Sequence, residues 1–319
     1  MQCIGKSDSK WKGAPVMDLK DFQYLIALAE EGSVSKAADR LYMSQSSLSQ
    51  FLTQYENELG VKLFLRTSKG IRPTANGEVF IDHLRHLLYD YKQAKRELWD
   101  CEGMKGGRVT LGISSFRGQQ TLPKILRLFA EQYPDVQVNV VEAHSLKLAD
   151  LLLEGKLDVA VVALPAAKLK NEAIPLTKDE VYLVAGADHP LGKRANPRPD
   201  GVPWVSLKDA VQYPFVLSYH DTMLGTIARN LFQKHKLKYE SEYDNISAAM
   251  AVEMAKAGVG LAFTYASCVD PDDHLQLFRI GEKGVFLDLG VARPSREFHS
   301  KATEALEAVV REVYQKQTG

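Results

Sequence analysis

The chain has 319 residues, a length for about two or three compact units rather than one. Its 40 Lys plus Arg balance 40 Asp plus Glu, for a formal net charge of +0, and 45% of its residues are hydrophobic. That composition excludes a disordered chain and a globally basic nucleic-acid coat. Cys3, Cys101 and Cys268 lie far apart and form no CxxC pair, which fits a reducing, cytoplasmic compartment better than a disulfide framework. No apolar run is long enough for a bilayer, and residues 1–16, with Lys6, Asp8, Lys10 and Lys12, hold no apolar stretch of the kind a signal peptide needs.

Residues 1–16 read as a tail. Behind Asp18, a candidate N-cap, Leu19, Phe22, Leu25, Ile26 and Ala29 recur at helical spacing, and Gly32 ends the helix. Ser33 or Ser35 caps a second short helix with Val34, Ala37, Ala38 and Leu41 inward, followed by a turn at Tyr42 and Met43. Ser44 caps a third helix, whose inward positions are Leu48, Phe51 or Leu52, Tyr55 and Leu59, and Gly60 stops it. Two apolar pieces, 62–65 and 70–72, flank Thr67, Ser68 and Lys69 and predict a small β-wing. Thr74 and Asn76 then open a helix that runs to about Cys101. In it Phe80, Leu84, Leu87, Tyr91, Ala94 and Leu98 are spaced 4, 3, 4, 3, 4, the seam of a coiled coil that calls for a second copy of the chain. Gly103, Gly106 and Gly107 mark a domain boundary.

From Arg108 apolar strand candidates alternate with amphipathic helices. Strands are expected at 109–113, 136–141, 159–164, 181–186, 215–217, 260–264 and 286–292, and helices at 122–133, 146–154, 222–235, 247–257 and 298–314. The alternation predicts α/β architecture with mainly parallel sheets, and the weakly periodic stretch 165–175 suggests two subdomains joined by crossing connections.

Three helices with a short turn before the third, followed by a wing, outline a helix-turn-helix whose third helix enters a major groove. The exposed face of that helix carries Gln45, Ser46, Ser47, Ser49, Gln50, Thr53 and Gln54, uncharged groups suited to base edges and phosphates, where an ordinary solvated face carries Glu and Lys. The wing adds Lys62, Arg66, Lys69 and Arg72 without an acid.

The stretch 22–77, with "GSVSKAADRL", "SQSSLSQ", "ELGVKLFLR" and "PTANG", resembles the N-terminal domain of LysR-type transcriptional regulators. The resemblance continues through "LGISSFRGQQTLPKIL", "YPDVQV", "EGKLDVAVV" and "AKAGVGLAF", so it covers the chain from Met17 onward. Phe51 stands where such recognition helices commonly carry Ile, and Tyr55 where Leu precedes Glu. The resemblance implies a winged helix-turn-helix domain (17–74), a dimerising linker helix (75–104) and an effector-binding domain (108–319). That last domain would resemble periplasmic binding proteins, with subdomain I about 108–168 and 280–319, subdomain II about 169–279, and a ligand cleft between them.

Mapped on the family, the DNA-binding set is Ser33, Ser35, Lys36, Ser44, Gln45, Ser46, Ser47, Ser49, Gln50, Thr53, Gln54, Lys62, Arg66, Lys69 and Arg72. The cleft set is Ser114, Ser115, Phe116, Ser145, Ser218, Tyr219, Phe263 and Thr264, hydroxyls and helix starts that suit a small anion. The implied partners are double-stranded DNA, a small-molecule effector, a second copy of the chain with pairing of dimers into tetramers, and RNA polymerase.

No catalytic residue, metal or cofactor is expected. "GVGLAF" at Gly258 lacks the third glycine of a dinucleotide fingerprint and precedes a strand, "IGKS" at 4–7 has no strand before it, and His83 with His86 has no further ligand pattern nearby. Cys268 reads as a free thiol, with a redox sensor as the alternative. Two other readings stay open on residues alone: a solute-binding module that keeps its helix-turn-helix for assembly, and an enzyme on the α/β region. The polar third helix speaks against the first, and the lack of a nucleophile and base pair against the second.

Overall fold

A computed structural model describes residues 18–68, 70–101, 107–166, 169, 173–199, 201–270, 274–294 and 300–317. The proposed tail, Lys69, Gly103 and Gly106 lie outside the described residues. The chain forms two units, Met1–Lys95 and Arg96–Gly319.

In the first unit α1 (Leu19–Glu31) opens on a reciprocal cap, in which Asp18 accepts the N–H groups of Lys20 and Asp21 while the Asp21 carboxylate accepts the N–H of Asp18. It closes at Gly32, whose φ of 60° is left-handed. Ser33, rather than Ser35, caps α2 (Val34–Arg40), and Ser44 caps α3 (Gln45–Leu59). The hairpin β1 (Phe64–Thr67) and β2 (Gly70–Pro73) forms the wing, and Thr74 Oγ1 accepts the Gly77 N–H at 2.9 Å to start α4 (Ala75–Cys101).

The core of this unit gathers Leu25, Leu28, Ala37, Leu48, Leu52, Leu63, Ile81 and Leu84. Phe51 and Tyr55, the two positions that depart from the family's usual residues, stack on each other at 5.8 Å between ring centroids. Phe51 meets Tyr24 edge-on at 5.2 Å and Tyr55 meets Phe80 at 6.4 Å, so an aromatic series ties α3 to α1 and α4. The expected seam on α4 divides: Leu84 is buried in this core, whereas Leu87, Tyr91 and Leu98 are 53%, 46% and 69% exposed.

The second unit begins with β3 (Arg108–Ile113), α5 (Ser115–Gln132), β4 (Gln137–Glu142), α6 (Ser145–Leu153) and β5 (Val159–Leu164). There follow β6 (Ala173–Gly186), β7 (Trp204–Val205), α7 (Leu207–Ala210), β8 (Val216–Ser218), α8 (Met223–Lys234), β9 (Tyr243–Ile246) and α9 (Ala248–Lys256). The last elements are β10 (Ala262–Tyr265), β11 (Leu275–Ile280), β12 (Val285–Ala292) and α10 (Lys301–Gln317). The main sheet has the order β4-β3-β5-β12-β6-β11-β7, with β10 also on β6, and β8 pairs β9 in parallel beside it.

The expectation of mainly parallel sheets is corrected here. β4, β3 and β5 are parallel because α5 and α6 carry the chain back between them, but β12, β11 and β10 all run antiparallel to β6. β6 is the crossing element: its residues 173–181 pair β12, and 181–184 pair β10. The sequence reading starts it only at Val181, because Pro175 and the run Lys178-Asp179-Glu180 do not look like a strand. Tertiary partners settle the two acids, since Arg117 pairs with Asp179 and Arg279 with Glu180 at 2.6 Å. α5 likewise begins at Ser115 rather than at 122, and the short β7, α7 and β9 have no counterpart in the sequence reading. β11 is absent from that reading too, because its two faces, Leu275, Leu277 and Arg279 against Gln276, Phe278 and Ile280, each mix apolar and polar residues and show no clean alternation. One hydrophobic core contains both Ile113 and Phe215, so it runs through both regions assigned to subdomains.

Candidate functional site

Two surfaces carry the residues singled out in the sequence. In the first unit α3 turns Leu48, Leu52 and Tyr55 inward, which leaves Gln45, Ser46, Ser47, Gln50, Thr53 and Gln54 exposed along one face and Ser49 half-buried. Several of these groups are already engaged. Ser44 Oγ accepts the Ser47 N–H, Ser35 Oγ donates to Gln45 Oε1 at 3.0 Å, and Gln54 Nε2 donates to Glu58 at 2.8 Å. Gln50 makes no hydrogen bond among the described residues and is the side chain most available to a base edge.

Arg66 Nη2 donates to Ser49 Oγ at 2.8 Å, which ties the wing to α3. Lys36 and Arg72 are exposed, and Ser33 is half-buried as the α2 cap. Lys62, by contrast, faces home, with its ammonium 2.7 Å from the buried Glu56.

In the second unit a cavity of about 390 Å³ lies where the N-termini of four helices meet: Ser114–Arg117 on α5, His144 and Ser145 on α6, Thr222–Leu224 on α8 and Ser247–Ala249 on α9. Each N-terminus brings free N–H groups and a partial positive charge. His144, Thr222 and Ser247 cap their own helices through their side chains, but Ser114 makes no such bond, so α5 keeps its first N–H groups and the Ser114 hydroxyl uncommitted. Among the described residues no Asp or Glu lines the cavity; Phe116, Ala143, Tyr219, Met223, Leu224 and Ala248 supply its apolar wall.

Of the residues mapped to the family cleft, Ser114, Ser115, Phe116, Ser145 and Tyr219 line this cavity. Ser218, Phe263 and Thr264 do not, and the expectation for them is corrected. Phe263 is 2% exposed and stacks on Phe215 in the core; Thr264 and Ser218 are also buried. Alternation turns Thr264 to the opposite face of β10, and Phe263, which shares a face with Tyr265, sits two residues further from the strand's C-terminal end, so Tyr265 is the β10 residue that reaches the cavity.

The sequence reading missed Arg117, Gln119, His144, Thr222, Met223, Leu224, Ser247, Ala248, Ala249 and Tyr265. The helix starts at Thr222 and Ser247 were the available signal, because open α/β sheets bind ligands beyond the carboxyl ends of their strands. Arg117 had none, since an arginine on an amphipathic helix normally reads as solvated. Here it is 5% exposed, paired with Asp179, and its guanidinium carbon lies 3.4 Å from the Tyr265 ring centroid. Burial pushes the Tyr265 phenol up to about 12, against the opposing charge of Arg117, so it stays protonated.

A winged helix-turn-helix unit followed by an α/β ligand-binding unit is the architecture of a ligand-responsive transcriptional regulator. The chain belongs to the LysR family: residues 19–78 match the bacterial regulatory helix-turn-helix protein, lysR family, and 102–315 match the LysR substrate binding domain. It is 31% identical to "Probable HTH-type transcriptional regulator LrrA" of Synechococcus elongatus over 77% of this chain and 80% of the relative. It is 29% identical to the HTH-type transcriptional regulator YraN of Bacillus subtilis over 81% and 84%.

A full-length OxyR variant from Pseudomonas aeruginosa shares the fold, with a TM-score of 0.64 at 23% identity over 92% of this chain and 98% of that one. So does CbnR complexed with its target DNA, with a TM-score of 0.59 at 20% identity over 93% and 100%. The protein is therefore a LysR-type, DNA-binding transcriptional regulator with a substrate-binding domain, and not an enzyme. Among the described residues no helix is long and apolar enough to cross a membrane, and no group of three or more His, Cys, Asp or Glu could hold a metal.

Proposed function

We propose that this regulator reads DNA through α3 and the wing and answers to a small anionic effector held in the cavity of its second unit. The observation that carries the effector reading is the meeting of four helix N-termini around a cavity without a lining carboxylate among the described residues. Partial positive charge and free N–H groups then have no internal partner and favour an anion. Ser114, Ser115, Phe116, Ser145 and Tyr219 are its proposed contacts. The region 108–168 with 280–319 and the region 169–279 act as two lobes, with β6 and β12 crossing between them. A ligand that binds two lobe arrangements unequally shifts the balance between them and so changes promoter contacts.

On the DNA side Gln45, Ser46, Ser47, Gln50, Thr53 and Gln54 face the groove, while Ser33, Ser35, Lys36, Ser44, Ser49, Lys62, Arg66, Lys69 and Arg72 act on or near the backbone. Two copies joined along the outer part of α4 place two recognition helices about 34–36 Å apart, which asks for an imperfect palindrome. The cytoplasm is the compartment this function requires, pairing of dimers into tetramers extends the same interface logic, and RNA polymerase is the downstream partner.

Genome-wide occupancy of the tagged chain, repeated with Gln50→Ala, tests the DNA half. A few palindromic sites lost in the variant support it; diffuse occupancy by a folded dimer overturns it. Adding candidate anions to the same binding reaction tests the effector half, which fails if none alters occupancy while all are shown to bind elsewhere.

A further inference from the structure

Resting on the reading of the cavity as the effector site, we propose that Arg117 is the receptor for the effector's anionic group. The cavity then takes carboxylates with an apolar body and no amine. Arg117 lines the cavity from the first turn of α5, beside the uncommitted Ser114 hydroxyl. Its guanidinium is fixed on two sides: Nη1 donates to Asp179, and the plane lies over the Tyr265 ring at 3.4 Å. Asp179 is held in this pairing by Ser267, whose N–H it accepts at 3.1 Å and whose Oγ–H it accepts at 2.6 Å.

Nη2, in contrast, is buried and makes no hydrogen bond. A guanidinium has five N–H donors, and one that is buried without an acceptor is a standing demand for an oxygen. An incoming carboxylate meets that demand with one oxygen and takes the Ser114 hydroxyl and the open N–H groups of α5 with the other. Among the described residues the lining holds no Asp or Glu, so no carboxylate of the cavity wall competes for Nη2.

The same absence decides what else the ligand carries. An ammonium group entering with the carboxylate finds no counter-charge in the lining among the described residues: Asp179 is paired with Arg117, and Asp221, beside His144, is 57% exposed. Phe116, Met223, Leu224 and Ala248 instead offer apolar contact to the ligand's body.

Calorimetric titration of the full chain with 3-phenylpropanoate, 3-phenylpropanamide and phenylalanine tests this, since the three probes differ by one group. The carboxylate is expected to bind, and the amide and the amino acid at least about 10-fold more weakly, because each leaves a buried polar group unmatched. In Arg117→Met combined with Asp179→Asn, which leaves no single charge buried, the preference for carboxylate over amide is lost. Where that pair of changes prevents folding, Arg117→Lys keeps the charge but not the fork and lowers the preference several-fold.

Met223→Trp fills the cavity and abolishes binding of every probe. Should the preference survive the Arg117 variants while Met223→Trp still abolishes binding, the cavity remains the ligand site and the role of Arg117 is overturned. Carboxylate binding that survives Met223→Trp overturns the cavity reading itself. No binding by the carboxylate, or equal binding of phenylalanine, overturns the ligand class.

Discussion

The Oε1 of Glu56 accepts the backbone N–H of Phe64 at 2.9 Å and, at the same distance, that of Leu63, while Oε2 takes the Lys62 ammonium. A carboxylate from the last turns of α3 thus holds the first strand of the wing. It is 6% exposed, and the two N–H groups it satisfies are buried with it. Glu56→Ala leaves both donors orphaned and is expected to lower the stability of the N-terminal unit by about 2–4 kcal/mol, measured by urea denaturation. DNA affinity should fall with it, because the wing loses its register on α3. Unchanged stability would remove Glu56 from this role.

Arg66 reaches from the wing to Ser49 and is otherwise exposed. As a backbone contact, Arg66→Ala is expected to weaken binding to all operator variants alike and to reduce the slope of log K against log salt by about 0.9. A loss confined to particular bases would assign Arg66 to readout instead.

The outward residues of α4 bear on assembly. Leu87, Tyr91 and Leu98 are exposed at coiled-coil spacing, more apolar surface than a solitary helix presents without a partner. Leu87→Glu with Leu98→Glu should lower the dimer's sedimentation mass to that of one chain at micromolar concentration without changing the far-UV spectrum. A persisting dimer places the interface elsewhere.

Cys268 tests the redox alternative. Burial pushes its thiol up to about 11, more than the nearby Arg117 charge pulls it down, and only the thiolate reacts. At pH 8 its thiolate fraction is then about 100-fold below that of an ordinary cysteine with a pKa near 8.5–9. In a Cys3→Ser, Cys101→Ser background, iodoacetamide should modify the folded chain at least that much more slowly than the urea-unfolded chain, with the rate rising steeply toward pH 11. Rapid labelling at pH 7 would restore Cys268 as a sensor candidate.

Local chemistry explains how much was legible. Caps are read from a residue and its next three neighbours, so Asp18, Ser44, Gly32 and Gly60 bound their helices in the structure as they do in the sequence. The turn of α4 over the wing is equally local in cause: a Cβ on Gly77 would stand 2.0 Å from the Leu63 carbonyl oxygen, so "PTANG" needs its glycine. Strand ends and facing were less legible. The β10 residue that lines the cavity is Tyr265 and not Phe263 or Thr264, because which residue of a strand reaches the end of a sheet depends on its neighbours' lengths.

By itself the sequence determined the family, the three-helix unit and the polar face of its third helix, the long helix with its apolar seam, and an α/β unit. Each of these rests on periodicity, caps or motif residues adjacent along the chain. The tertiary structure alone decided that β6 extends back through Lys178, Asp179 and Glu180, that Lys62 is claimed by Glu56, and that Arg117 is buried against Asp179 and Tyr265. A charge is read as solvent-exposed until its partner is known, and partners can lie far along the chain: Asp179 is 62 residues from Arg117, and Glu180 is 99 from Arg279. Only the folded chain brings Arg117 and Asp179 together, so that each offsets the cost of burying the other.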